Sequence, residues 1–239
     1  MMFYRLLKTE LKQAFRDPLY QVFLFYPVIL ALLALLLKDV LSQQPKTAYL
    51  LVLSLFVLMG GFIFGALIGF SLLDDKDDFV LISLKTSPLG VKTYVIYKLL
   101  IGYFFGLIST LMMIASFSLF EMPWYTIIYV TLLSSLQGPI IALIISAFAS
   151  NKVEGFVIMK SAGLLLIAPI ISLFVEGWQE VFLYLIPGFF PLRLLLSDVT
   201  STVLFLGNPL YYFLLGLIVE LSILSILFIL YQKKLKKIS

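Results

Sequence analysis

Apolar runs long enough to cross a bilayer alternate with short polar breaks along almost the whole chain. A crossing of the hydrocarbon core takes roughly 20 residues, and six such runs can be placed, at about 19–37, 48–73, 94–119, 125–149, 156–175 and 209–231. The pattern predicts an all-α integral membrane protein, organised as one transmembrane unit over residues 1–239. Ahead of the first run the pattern is different. Arg5, Lys8, Thr9, Lys12, Gln13 and Arg16 share one arc of a helical wheel, and Phe3, Leu7, Leu11, Ala14 and Phe15 share the other. Residues 1–17 therefore read as an amphipathic helix in the interface plane, with Arg5, Lys8, Lys12 and Arg16 as its anchoring charges. The segment is too long and polar for a signal-peptide n-region, and no small-residue cleavage site follows, so it is expected to be retained.

The breaks carry the rest of the information. Residues 74–93, DDKDDFVLISLKTSPLGVKT, form a sizeable polar insert. Asp74, Asp75, Asp77 and Asp78 are expected at the start of a short helix, where the positive end of its dipole favours them. Phe79 to Leu84 would form its apolar body, and Thr86 to Gly90 its stop. A greasy helix in so thin a loop must bury itself in lipid headgroups or in a partner. Residues 150–155, SNKVEG, make a second, smaller turn on the same side. Between the fifth and sixth runs, residues 176–207 hold apolar pieces of only 7 to 8 residues broken by Pro187, Gly188 and Pro191. Those pieces are too short to cross, and re-entrant or interfacial helices are expected there, with Arg193 snorkelling outward. Within the spans, Gly61, Gly65 and Gly69 make a small-residue stripe, with Gly102 and Gly106 as its expected mate and close packing within one protomer as its expected use. Gln137, Gly138 and Pro139 are expected to bend the fourth span.

Composition narrows the chemistry. With 62% hydrophobic and 13% charged residues, the chain lies far from a soluble domain, which is near half apolar and a quarter charged. It has no Cys and no His, which removes disulfides, thiolate chemistry, the usual zinc sites and His proton shuttles. No G-x-x-x-x-G-K-[ST] stretch is present to cradle ATP phosphates. Glu220 is the one carboxylate that the sequence places deep in a span, where a charge costs about 3 kcal/mol. Two readings stay open for it, with Gln137 as the other buried polar candidate: it lines a pathway, or it hydrogen-bonds a neighbouring Ser or Thr. A proton-coupled carrier would usually show several such groups and an internal repeat. Of 17 Lys and Arg residues, all but Lys38, Lys46 and Arg193 fall on the side of the two termini. That asymmetry puts both termini inside the cell, so the net charge of +4 is an orientation signal and not a sign of nucleic-acid binding.

Taken in order, these segments resemble the permease subunit of a type-2 ATP-binding-cassette exporter. The resemblance covers the amphipathic helix, Arg16-Asp17-Pro18 before the first span, LDDKDDFVLISLKTSPLGVKTYVIYKLL after the second, SAFASNKVEGFVIMK after the fourth and LIPGFFPLRLLL before the sixth. It implies that residues Asp77 to Lys85 form the coupling helix that docks on an ATPase subunit, with Asp77, Asp78, Phe79, Leu81, Ile82 and Lys85 as contacts. Asn151, Lys152 and Glu154 would supply a second contact. It further implies two copies of a separate ATPase that carries ATP and magnesium, a second permease chain, the same or homologous, and no catalytic, cofactor or metal site on this chain. The insert departs from the family's commoner acidic-basic-Gly-Thr opening, having Asp-Asp-Lys-Asp-Asp and no Gly-Thr. An interior with few fixed charges suits hydrophobic or amphipathic cargo: a drug, a peptide or a lipid. A secondary carrier, or a non-transporting scaffold or immunity protein in the plasma membrane, would show the same six spans.

Overall fold

The computed structural model describes residues 8, 12, 15–84, 90–117, 122–175, 177–200 and 204–237. Among them the secondary structure is helical throughout: α1 (Pro18–Ser42), α2 (Lys46–Asp77), α3 (Val80–Ser83), α4 (Val91–Ser116), α5 (Trp124–Phe148), α6 (Lys152–Ile167), two 3-10 segments (Ala168–Leu173 and Gly177–Leu183), α7 (Phe189–Thr200) and α8 (Pro209–Lys237). Six of these are long and apolar enough to span a membrane, with α6 and the first 3-10 segment counted together. Local chemistry sets several ends. The Asp17 carboxylate accepts from the Leu19 amide at 2.8 Å and Pro18 follows in the first turn of α1, a preferred N-terminal arrangement. Asn208 caps α8 through the Leu210 amide at 2.9 Å.

Helices α2 and α5 form the axis of the bundle. Each has 72% of its most apolar stretch buried, against 17% for α8. The reason is the glycine stripe. A Cβ on Gly61 would lie 2.3 Å from the Ser134 carbonyl oxygen, and one on Gly65 would lie 2.4 Å from that of Gly138. The stripe therefore serves close packing within the protomer, as expected, but its principal mate is α5. Gly102 and Gly106 of α4 close the third side, Gly106 facing Gly61 and Ser135. Helices without side chains at the crossing approach until backbone meets backbone. Gly65→Leu is accordingly expected to cost about 1–3 kcal/mol through overpacking. Gly163→Ala, whose added carbon meets nothing within 4 Å inside α6, should hold stability or raise it by up to about 1 kcal/mol, and thermal unfolding in detergent reads both.

The segment between the fifth and sixth spans differs from expectation in two respects. Pro191 does not interrupt it but sits in the first turn of α7, where the amide it lacks has no helical acceptor anyway. Arg193 does not snorkel outward. It is 2% exposed and ion-paired with Glu180, itself fully buried, while Tyr212 donates to the other Glu180 oxygen at 2.6 Å. A carboxylate already held inside gives the guanidinium a better partner than distant water. Gly188, at φ 86°, turns the chain into α7, and Phe189, Phe190 and Leu194 are fully buried there. Helix α5 continues through Gln137, Gly138 and Pro139 without a break.

Candidate functional site: a clamped acidic helix end and an exposed aromatic

One end of the bundle carries Asp17 at the start of α1, the close of α2, the start of α6 and the last turns of α8. There the sequence expectation for the aspartates fails. Asp74, Asp75 and Asp77 lie in the final turns of α2 and Asp78 is its C-cap, so they face the negative end of a helix dipole and not the positive end of a new helix. The helix overruns because partners from other elements hold its acids. Lys98 of α4 is fully buried, ion-paired with Asp75 and 2.5 Å from the Ser71 hydroxyl. The Tyr94 hydroxyl donates to Asp75 at 2.9 Å. Tyr20 of α1 donates to Asp74, and Lys152 of α6 reaches Asp74 at 2.9 Å and Asp17 at 3.6 Å. Lys76 donates to the Ser150 carbonyl at 2.9 Å. Four spans, α1, α2, α4 and α6, are thus tied at one level.

Asp77, Asp78 and Phe79 lie beyond that clamp and are exposed. Phe79 occupies the position that stops a helix, with its amide on the Lys76 carbonyl at 3.2 Å, and it does so in the left-handed region, φ 58° and ψ 15°. Glycine or asparagine is the usual residue there, and a bulky residue is strained, at a cost of order 1–3 kcal/mol. Its ring is 67% exposed, so the protein's own core does not explain its presence. The expected helix over Asp77 to Lys85 is described only as the single turn α3, Lys85 falling outside the described residues. On that turn Ile82 points out at 46% exposure and Leu81 points in at 4%. Of the expected contacts, then, Phe79 and Ile82 are presented outward while Leu81 is a foot on the bundle.

The second turn is largely occupied with its own helix. Asn151 accepts from the Glu154 amide at 3.0 Å, and Glu154 accepts from the Ser150 amide at 2.7 Å, a reciprocal cap of the start of α6. Lys152 is engaged in the clamp, and Val153, which the sequence reading passed over, is the outward residue at 76% exposure. Of the interfacial anchors, Lys8, Lys12 and Arg16 are exposed, with Lys8 and Lys12 one helical turn apart; Arg5 lies outside the described residues. Glu220, deep in α8 and 1% exposed, accepts on one oxygen from the Gln137 side chain and from the Gly188 amide, each at 3.3 Å. Its partners are the Gln137 amide and the backbone of the turn at Gly188, not a Ser or Thr. Among the described residues no group of three or more His, Cys, Asp or Glu side chains is placed to hold a metal ion.

Six helices long and apolar enough to span a membrane, with the acids of α2 clamped at one end and Phe79 exposed beyond them, make this a multi-pass membrane protein. Comparison of the sequence narrows the class to export. The chain belongs to the family described as Fluoroquinolones export permease protein Rv2686c-like, whose model matches residues 10–228. It is 26% identical over 190 residues, 73% of this chain and 74% of the relative, to the Fluoroquinolones export permease protein Rv2686c of Mycobacterium tuberculosis strain ATCC 25618 / H37Rv. Identity and coverage are the same for the protein MT2760 of strain CDC 1551 / Oshkosh, which carries the same description. No solved structure matches. The chain is thus a multi-pass membrane permease of an export system.

Proposed function

We propose that this permease works as the transmembrane half of an ATP-driven exporter, with a separate ATPase subunit docked on the end of the bundle that bears Phe79. That end faces the cytoplasm, and two ATPase copies serve two permease chains, the second the same or homologous. The observation that carries the reading is Phe79, a large aromatic kept exposed at a strained backbone position immediately beyond a rigid clamp. Strain of this kind is retained where it has a use. When the ATPase dimer closes, force on Phe79 and Ile82 passes through the end of α2 into α1, α4 and α6 by way of Tyr20, Lys98 and Lys152, so the spans move as rigid bodies. The basic residues gathered at this end support the orientation.

The cargo is hydrophobic or amphipathic, and fluoroquinolones, named for the relatives, are the first class to test. Inverted vesicles carrying this chain and its ATPase should accumulate a fluorescent fluoroquinolone on addition of ATP, and ionophores that collapse ion gradients should leave uptake intact. Uptake that follows a proton or sodium gradient and ignores ATP would replace this reading with a secondary carrier.

A further inference from the structure

Away from the helix ends, the outward faces of the spans carry no charge, with one exception among the described residues. They present Phe25 and Leu32 on α1, Leu100 and Phe104 on α4, and Leu214 and Ile218 on α8. The exception is Lys160, exposed on α6, and no described carboxylate pairs with it. It stands eight residues beyond Lys152, a rise of about 12 Å from the level of the clamp, inside a segment long and apolar enough to cross a bilayer. The other charges this far from the ends of the spanning helices are turned inward, Lys98 at 0% and Glu220 at 1% exposure.

An ionisable side chain within a membrane segment faces the bundle interior, a water-filled cavity or a charged partner. Exposure removes the first of these for Lys160. A second copy of this chain offers no acid to meet it, because among the described residues no exposed carboxylate lies away from the ends of the spanning helices. The face of α6 that bears Lys160 therefore borders an aqueous path. Around the ammonium this face suits a flat apolar body. Val157 and Leu164, one turn to either side, are 60% and 65% exposed, and at Gly163 an added carbon would meet nothing within 4 Å.

We propose that Lys160 is the carboxylate-binding residue of the export path and that the permease selects amphipathic aromatic acids, the carboxylate on the Lys160 ammonium and the rings over Gly163 between Val157 and Leu164. Charge complementarity makes the selection: an ammonium beside low-dielectric walls attracts a carboxylate more strongly than one at an open surface. The proposal rests on the amphipathic cargo argued above. It uses neither Phe79 nor the clamp, so it stands whether or not an ATPase docks there.

The test is fluorescence anisotropy of pyrenebutyrate and of its methyl ester, titrated with the full chain in phosphatidylcholine nanodiscs, with the signal of empty nanodiscs subtracted. The unaltered chain should bind the acid about tenfold tighter than the ester, the size of one hydrogen bond to a charged group. Lys160→Gln should bring the acid down to the affinity of the ester and leave the ester unchanged, while Lys160→Arg should keep the preference. Gly163→Leu should weaken both probes while circular dichroism shows the helices intact. Equal binding of acid and ester by the unaltered chain, or a preference for the acid that survives Lys160→Gln, would overturn the proposal. Saturable binding of neither probe would overturn it too, and the vesicle uptake assay reports separately on the cargo reading.

Discussion

Phe79→Gly is expected to move stability and function in opposite directions. Glycine adopts φ 58° without a Cβ penalty, so the free chain should gain up to about 1 kcal/mol, after allowance for the greater freedom of glycine in the unfolded state. Association with the ATPase should meanwhile fall steeply. Aromatic anchors at the centre of an interface account for about 2–4 kcal/mol on truncation, a loss of some thirtyfold or more in affinity. Phe79→Asp combined with Ile82→Asp should abolish association and leave insertion intact. Leu81→Asp is the contrasting change: at 4% exposure, it should fail by destabilising α3 on the bundle, and its unfolding midpoint should fall where that of Phe79→Gly rises. Thermal unfolding and co-purification, measured on the same samples, separate the two effects. A Phe79→Gly chain that is no more stable and still binds would remove Phe79 from the docking surface.

Lys98→Met should be the most damaging single change at the clamp. It takes an ammonium from the side of a carboxylate that is 6% exposed, and breaking a buried pair by removing one partner costs about 3–5 kcal/mol. The double change Lys98→Met with Asp75→Asn should recover much of that loss, since a neutral pair leaves no buried charge uncompensated. Lys152→Ala offers the control. Its side chain is 37% exposed, so loss of its pairs with Asp74 and Asp17 should cost no more than about 1 kcal/mol. If Lys98→Met and Lys152→Ala destabilise equally, burial is not what sets the strength of the clamp.

The clamp also marks the boundary of what the sequence makes legible. Six spans follow directly from apolar length, and the stripe of Gly61, Gly65 and Gly69 announces close packing by its spacing. The sign of the aspartates does not follow, because acids at a polar break can open one helix or close another. What decides is the company they keep: Lys98 and Tyr20, separated from their acids by 23 and 54 positions, supply the compensation that lets α2 run on to Asp77. Lys98 could have been noticed, being a charge at helical spacing from Tyr94 just inside an apolar run. Arg193 illustrates the same limit, since its burial depends on Glu180 and Tyr212 meeting across a turn. The strained backbone at Phe79 has no sequence signature, because the residue types that mark left-handed stops, Gly and Asn, are missing there.

Coupling of this permease to an ATPase is tested most directly by crosslinking it in its native membrane, purifying it through a tag and identifying by mass spectrometry what comes with it. The account predicts a stoichiometric ATP-binding-cassette ATPase that disappears when Phe79 and Ile82 both become Asp. A crosslinked preparation containing no nucleotide-binding chain would contradict it.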